Sequence, residues 1–466
     1  MPYYVSAAGD DTADGLSPAT AWKTLTRASH MRYVPGASLL LRAGDTWSND
    51  TLALQGSGSF DSTTYDSVFS SNYSSALASY MAGTAYSDMH AILIADGAST
   101  ADADSRASAY CDRLAFRDAV PIARDAANAS STWITLGKYG AGANPLIKPA
   151  PMQQTAIGID RASTGGWKIQ NVDIRGGLIA GIHQYPTFGT SAKGLWIEGC
   201  TITAVTGMGP ESPPPPYVNI FSAGIAATMV DYVFIVGGEI NACDMPAWVC
   251  GAHGGMVDSA NWHHSVLDHP MFLWAQPIWS NQTPGKRLTD VLISNTTIDH
   301  LCTTGYKNGA AGFFLGAVTR VVFSNTTITN TVRNATIPDG IAIDFEYNCI
   351  DVAVLNCNIA TNANAVFLMF ENPVTVVLPP TGYGATNSGT IVVDNTFNDN
   401  GTFNTTQLPA LARVNEARNA DQVVWARNTI TRAAPTQKLF GDFAIGSGLT
   451  DTPLASWFFG ADNTVT

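Results

Sequence analysis

The chain has 466 residues, length enough for two or three domains, yet only 13% are charged and 45% are hydrophobic. A formal net charge of −13 argues against a nucleic-acid groove or an anionic membrane surface as partner. Few charges and 42 glycines suit a long β architecture, where turns take Gly and Asn and much of each strand is buried.

The opening reads as an entry module over residues 1–56. Tyr3-Tyr4-Val5-Ser6 is a strand, and the polar cluster from Gly9 to Gly15 is a turn. Ser17-Pro18-Ala19-Thr20 signals a helix start, and Trp22, Leu25 and Ala28 recur at helical spacing. Strands follow at 38–42 and 51–54. The Asp-rich turn could take calcium, but its acids lack the regular spacing of a known loop, and no cofactor is expected. No signal peptide or transmembrane run is legible at Met1-Pro2-Tyr3-Tyr4, so a trimmed leader or carriage on a virion would serve for export.

Residues 57–130 change character. Ser, Ala, Asp and Tyr dominate, strand periodicity fades, and 107–127 is weakly helical. This is an insertion that could serve as a lid or an oligomer contact or be an inert surface excursion, so the chain is either a monomer or a homo-oligomer through it. Strands return at 133–136 and 145–147 and open a final unit, 131–466, that ends in a C-terminal cap.

From about residue 155 one pattern recurs: apolar-x-apolar-x-(Asn/Gly)-x-x-apolar. Trp167 to Ile174, Leu195 to Ile202 and Val233 to Ile240 are copies, and Val291 to Ile298 is nearly identical to Val321 to Ile328. Val352–Ile359, Ile391–Phe397 and Val423–Ile430 complete the set, with turn residues at 171, 199, 237, 295, 325, 356, 395 and 427. A gap of 58 residues between Gly237 and Asn295 holds a degenerate copy around Trp262–Val266. Periods of about 30 to 40 residues mean a solenoid rather than separate globular domains. The Leu lattice of leucine-rich repeats and the 3.6 period of helical repeats are both missing. Short strands with an Asn in the turn fit a parallel β-helix, where stacked Asn side chains satisfy turn polar groups.

The opening Tyr3-Tyr4-Val5-Ser6, Asp14-Gly15-Leu16-Ser17-Pro18-Ala19-Thr20, Trp22-Lys23-Thr24-Leu25 and Arg42-Ala43-Gly44-Asp45-Thr46-Trp47 resembles the entrance of the pectate-lyase-like superfamily. The Asn-turn repeats are similar to that superfamily's rungs. The resemblance implies an all-β right-handed parallel β-helix with an N-terminal capping helix and an inserted, partly helical segment. It covers most of the chain outside 57–130 and the last ~35 residues. Its members include lyases, hydrolases, epimerases, esterases, phage tailspikes and adhesins, so it implies a carbohydrate-active or glycan-binding protein outside the cell without choosing among them.

A second strand precedes each Asn-turn strand. Around Asp339-Gly340-Ile341-Ala342-Ile343-Asp344-Phe345-Glu346, alternation places Ile341, Ile343 and Phe345 inward and Ala342, Asp344 and Glu346 outward. Aligning the other strands on this parity predicts Met271, Leu273, Phe313, Leu315, Val366, Leu368 and Phe370 inward. One expected outward column then runs His183, Ala226, Trp248, Phe272, Phe314, Ala342, Phe367. The next runs Tyr185, Thr228, Cys250, Trp274, Gly316, Asp344, Met369, and a third holds Gln276, Glu346 and Glu371. Rings beside acids suit a sugar, whose C–H faces stack on aromatics while carboxylates bind hydroxyls or move protons. The alternative is that a loop such as 57–130 covers these rings as core.

The expected columns contain no Lys or Arg, and Lys307 and Arg333 lie only in nearby loops. Lyases of this fold need cations to neutralise the substrate carboxylate and a Lys or Arg as base, so the pattern favours a hydrolase with two carboxylates. Asp344 and Glu346 are the lead catalytic candidates, with Asp339 and Glu371 next, and the resemblance implies inversion. His183, Tyr185, Trp248, Phe272, Trp274 and Gln276 are expected to contact substrate, joined by His264, Asp268, His269 and Lys307. The His- and Asp-rich run from Asp244 to His269 lacks HExxH-like spacing, so no metal is expected there. Seven cysteines without a Cys-x-x-Cys pair argue against zinc or a dense disulfide framework; one bridge, Cys243–Cys250, stays open. The expected partner is a polysaccharide. The rival readings are a lyase on an acidic glycan and a non-catalytic glycan-binding fibre.

Overall fold

The structure, a computed structural model, describes the chain apart from residues 151–152, 154, 207–221, 267–269, 274–284, 304–310, 334–339, 347, 370–386, 415–419, 443–447 and 454–455. Three strands make a rung, and rungs stack in sheets of 13, 12 and 13 strands, the first, second and third sheets. Among these sheets the pairings are parallel except where Phe440–Asp442 meets Gly448–Thr450 at the C-terminal end. The fold is a parallel β-helix.

Register follows from what each rung sends inward. In the second sheet Ile174, Ile202, Ile240, Trp262, Ile298 and Ile328 stand one above another, each almost wholly buried. A slip of one residue would turn such a column outward, so the apolar column itself fixes the pairing.

In the central rungs the corner between the first and second sheets is two residues long, as with Asn295-Thr296 between Ser294 and Thr297. Its first residue is left-handed: Asn171, Asn295, Asn325 and Asn356 have φ of 55°, 50°, 51° and 53°. Asn tolerates this region better than most side chains, which explains the recurring Asn in the repeat. In the late rungs Asp394 (φ 61°) and not Asn395 is the left-handed residue. Asn395 instead begins a buried ladder: its N–H donates to Asn428 Oδ1 at 3.0 Å, and the Asn428 N–H to Asn463 Oδ1 at 3.0 Å. The degenerate copy has its strands at His253–Asp258 and Asn261–His263, turning at Ser259.

The N-terminal end is closed by the short helix α1 (Leu25–Ser29), capped by Thr24 Oγ1 accepting from the Arg27 N–H, with Leu25 and Ala28 buried. Ser17-Pro18 starts only a 3-10 turn, Pro18–Thr20, one element before the helix. Asp11 in the acidic turn accepts from the backbone N–H groups of Lys23 and Thr24 at 2.8 and 2.9 Å. All seven cysteines are buried thiols outside any disulfide, Cys243 and Cys250 included.

Residues 62–130 form three helices: α2 (Ser62–Ala82), α3 (Thr84–Ala95) and α4 (Thr100–Ser130). Alanines 103, 107, 115, 119, 123 and 127 give α4 a buried face of small residues. Tyrosines tie the hairpins together: Tyr86 donates to Asp104 at 2.6 Å, and Tyr73 and Tyr80 donate to Asp112 and Asp118. The helices share a second core with the outward face of the first sheet, where Phe116 and Val120 join Trp196, Phe234, Met256 and Leu292. Among the described residues, the segment therefore packs on the first sheet rather than over the aromatic positions of the third. No described helix is long and apolar enough to cross a membrane.

Candidate active site

The corners of the β-helix are unequal, and the inequality singles out one face. From the Gly165–Gln170 strand to the Thr429–Arg432 strand, first-to-second corners stay at two residues, whereas several connections into and out of the third sheet are much longer, as from Thr203 to Ala223 and from Leu273 to Leu288. Long connections thus border the third sheet along both edges. Loops on a rigid scaffold are where binding residues concentrate.

Pairing in this sheet aligns His183, Ala226, Trp248, Met271, Phe314, Asp344, Leu368 and Arg413 in one column. Their strand neighbours Val249, Phe272, Phe313, Ile343 and Phe345 belong to the interior core, so the column faces outward. Ala226, Trp248 and Leu273 form an external apolar cluster with Met271 and Phe314 packed against it. Trp248 is 6% exposed and Asp344 7%, whereas His183, Phe314 and Arg413 keep more of their surface. A carboxyl group set into an apolar face costs free energy unless it is paired or used.

Several expected positions are corrected. Phe272 points inward, pairing with Val249 and Leu315 and meeting the Phe313 ring edge-on at 4.9 Å, while Met271 and Leu273 point out. Likewise Phe367 and Met369 lie in the core, and Leu368 faces out beside Asp344. Asp344 stands against Phe314, where Ala342 was expected, and so joins the His183 and Trp248 column. The physical reason is that strand entry varies with the connection before it, so parity does not carry from one third-sheet strand to the next. Arg413 also overturns the expectation of columns without a cation.

Glu346 follows the Ile341–Phe345 strand, and its backbone N–H donates to Leu315 O at 2.9 Å. Two residues of strand rise place its backbone about 7 Å from that of Asp344. Burial pushes the Cys349 thiol up to about 12, and the charges of Asp344 and Glu346 add to that shift, so both carboxylates act on the same neighbourhood. Arg287 also reaches it: Nη1 donates to Asn348 Oδ1 and Nη2 to Val318 O, both at 2.5 Å. Arg287 was missed because it sits in a connection rather than in a repeat.

At the other end of the column, burial and then the charge of Arg161 push the His183 imidazole down to about 4. It is therefore neutral near pH 7, stacked on Tyr185 at 6.4 Å, with Arg161 4.8 Å over the Tyr185 ring. His264 belongs elsewhere: it is left-handed (φ 51°) at the corner after the second sheet, stacked on His300 at 5.0 Å. Beyond Asp344, Arg413 and Arg333 line a cavity of about 530 Å3 with Thr406 and Gln407. Asp339, Glu371, Trp274, Gln276, Asp268, His269 and Lys307 lie outside the described residues. Among the described residues no three His, Cys, Asp or Glu gather closely enough to hold a metal ion.

No family model and no curated protein matches this chain. Solved structures similar to this chain include the GH136 lacto-N-biosidase from Eubacterium ramulus, at 11% identity and TM-score 0.47 over 100% of this chain and 67% of that one. The surface adhesin PfbA of Streptococcus pneumoniae matches at 13% identity and TM-score 0.37, over 69% of this chain and 81% of that one. A rhamnogalacturonan lyase matches at 10% identity and TM-score 0.37, over 99% of this chain and 87% of that one.

Proposed function

We propose that the chain is an extracellular carbohydrate-active enzyme that hydrolyses a polysaccharide lying along the outward face of the third sheet. The observation that carries the reading is Asp344, a nearly buried carboxyl group in line with Trp248 and Phe314 on the one face bordered by long connections. Asp344 and Glu346 form the acid–base pair. One gives its proton to the glycosidic oxygen as the C–O bond breaks. The other takes a proton from the water that attacks the anomeric carbon from the opposite side, which inverts the configuration. Trp248 and Phe314 offer apolar surface to the sugar ring, and neutral His183 hydrogen-bonds a hydroxyl at the far end.

A second reading, β-elimination on an acidic glycan, is favoured by Arg413 in the Asp344 column, since a guanidinium suits a substrate carboxylate. A panel of neutral and acidic polysaccharides separates the two. Hydrolysis releases reducing ends that persist with a chelator present and lack near-ultraviolet absorbance; elimination leaves an unsaturated, absorbing product. Glycan binding without either product would replace both readings with a binding fibre.

A further inference from the structure

A cleft of about 680 Å3 lies where the helical segment meets the first sheet, on a different face from Asp344. Its floor is Asp290, Arg320 and Asp351, one from each of three successive rungs, all left-handed at φ 64°, 53° and 62°. Its walls come from α2 and α4, with Leu77 and Met81 on one and Asp112 and Arg113 on the other.

The floor is rigid. Arg320 pairs with Asp290, and its guanidinium lies 4.8 Å from the Phe116 ring centre and 5.9 Å from that of Phe69. Asp290 Oδ2 also lies 3.3 Å from His253 Nδ1, which hydrogen-bonds Thr289 Oγ1 at 2.8 Å. Arg113 reaches Asp351 Oδ1 at 2.6 Å and pairs with Asp112. Its side chain is 5% exposed and its Nε is buried without a hydrogen-bond partner, while 41% of the Asp351 side chain stays open.

Charge and shape narrow the ligand. Three carboxylates against two guanidinium groups, with His253 beside them, leave little net charge to attract an ion of either sign. Fixed donors and acceptors remain, with Ser105 and Thr319 hydroxyls at hand and an apolar wall at Leu77 and Met81. That combination fits a molecule carrying several hydroxyls and a C–H face, and the volume falls in the usual range of small-molecule sites. We infer that this cleft is a second binding site, one that takes a neutral saccharide unit between α4 and the first sheet. The inference is independent of the reading of the third sheet.

Calorimetric titration of the full chain with lactose, cellobiose and maltose, and with digalacturonate as the charged probe, tests it. At least one neutral disaccharide should bind. Ser105→Trp places an indole over the cleft from an exposed helix position and should weaken that binding about tenfold, ~1.4 kcal/mol. Ala109→Trp, read beside it, should do the same, with folding of both checked by circular dichroism. Phe314→Ala, which removes apolar surface from the third-sheet groove, should leave the affinity within about twofold. The site is overturned if no neutral disaccharide binds or only digalacturonate does. It is equally overturned if binding survives both Trp variants or vanishes with Phe314→Ala.

Discussion

Asp344 and Arg413 stand two rungs apart in a single outward column, each paired with Leu368 between them. At about 4.8 Å per rung their backbones are roughly 10 Å apart, so a carboxylate and a guanidinium address neighbouring parts of one extended ligand. Arg413→Gln should raise KM about tenfold on an anionic polysaccharide with kcat within about twofold, and leave a neutral one unaffected. Initial rates on a charged and a neutral glycan measure this. Equal losses on both would mean that Arg413 supports the fold rather than reading charge.

Asp344→Asn and Glu346→Gln test the acid–base pair directly. Each keeps the shape of the side chain and removes its ability to transfer a proton, so kcat should fall by about 10²- to 10⁴-fold. The double variant should be little worse than the poorer single one, because the two groups act in one step. Glycan affinity, measured by retardation in a polysaccharide gel, should persist in all three variants. Turnover within tenfold of wild type in either single variant removes that residue from the mechanism.

The solenoid was legible because its period is written in the first-to-second corner, which keeps one length through the central rungs: Asn171, Asn295, Asn325 and Asn356 all sit at the same left-handed position. Asp344 was found as outward by simple alternation within its own strand. The neighbours of Asp344 were not found, because alternation fixes parity inside a strand while register between strands depends on connections of unequal length. Phe272 and Arg413 were misplaced or missed on that account. The seat of the helical segment had a signal that alternation alone did not use. Trp196, Phe234, Met256, Leu292 and Val322 occupy the outward position of successive first-sheet strands, and a face that apolar must be covered.

The two kinds of Asn ladder should differ in worth. Asn428 is 1% exposed; its Nδ2 donates to Val392 O at 3.0 Å and to Asn463 Oδ1 at 2.8 Å, and its Oδ1 accepts from the Asn395 backbone. Asn428→Ala strands those partners in the core, at about 1–3 kcal/mol for each group left unsatisfied. Asn325→Gly keeps the left-handed turn and loses two exposed bonds, one donated to Asn295 Oδ1 at 3.4 Å and one accepted from Asn356 Nδ2 at 2.6 Å, costing under about 1 kcal/mol. Denaturant midpoints of the two variants should separate accordingly. Similar shifts would show that the outer ladder matters as much as the inner one.

His183 should make the fold acid-sensitive in a window well above the carboxylates. Burial, then the Arg161 charge, lowers its pKa from 6.5 to about 4 in the folded chain. Between those values the unfolded chain binds a proton that the folded chain refuses. The stabilisation is therefore full above about pH 6.5 and declines, by at most about 1.4 kcal/mol per pH unit, as pH falls toward 4. His253 works in the opposite sense: its hydrogen bond to Asp290 raises its pKa, with Asp231 and Asp66 adding to the effect. Its contribution is complete below about pH 6.5 and fades as pH rises through the raised value. The wild-type curve mixes the two, so the comparison that isolates His183 is with His183→Gln. That variant should show a shallower fall in denaturant midpoint between pH 6.5 and 4, and the same pH dependence as wild type above 7. If both proteins lose stability at the same rate across that window, His183 is not held neutral by the third sheet, and its assignment as a neutral hydrogen-bonding group at the end of the groove fails with it.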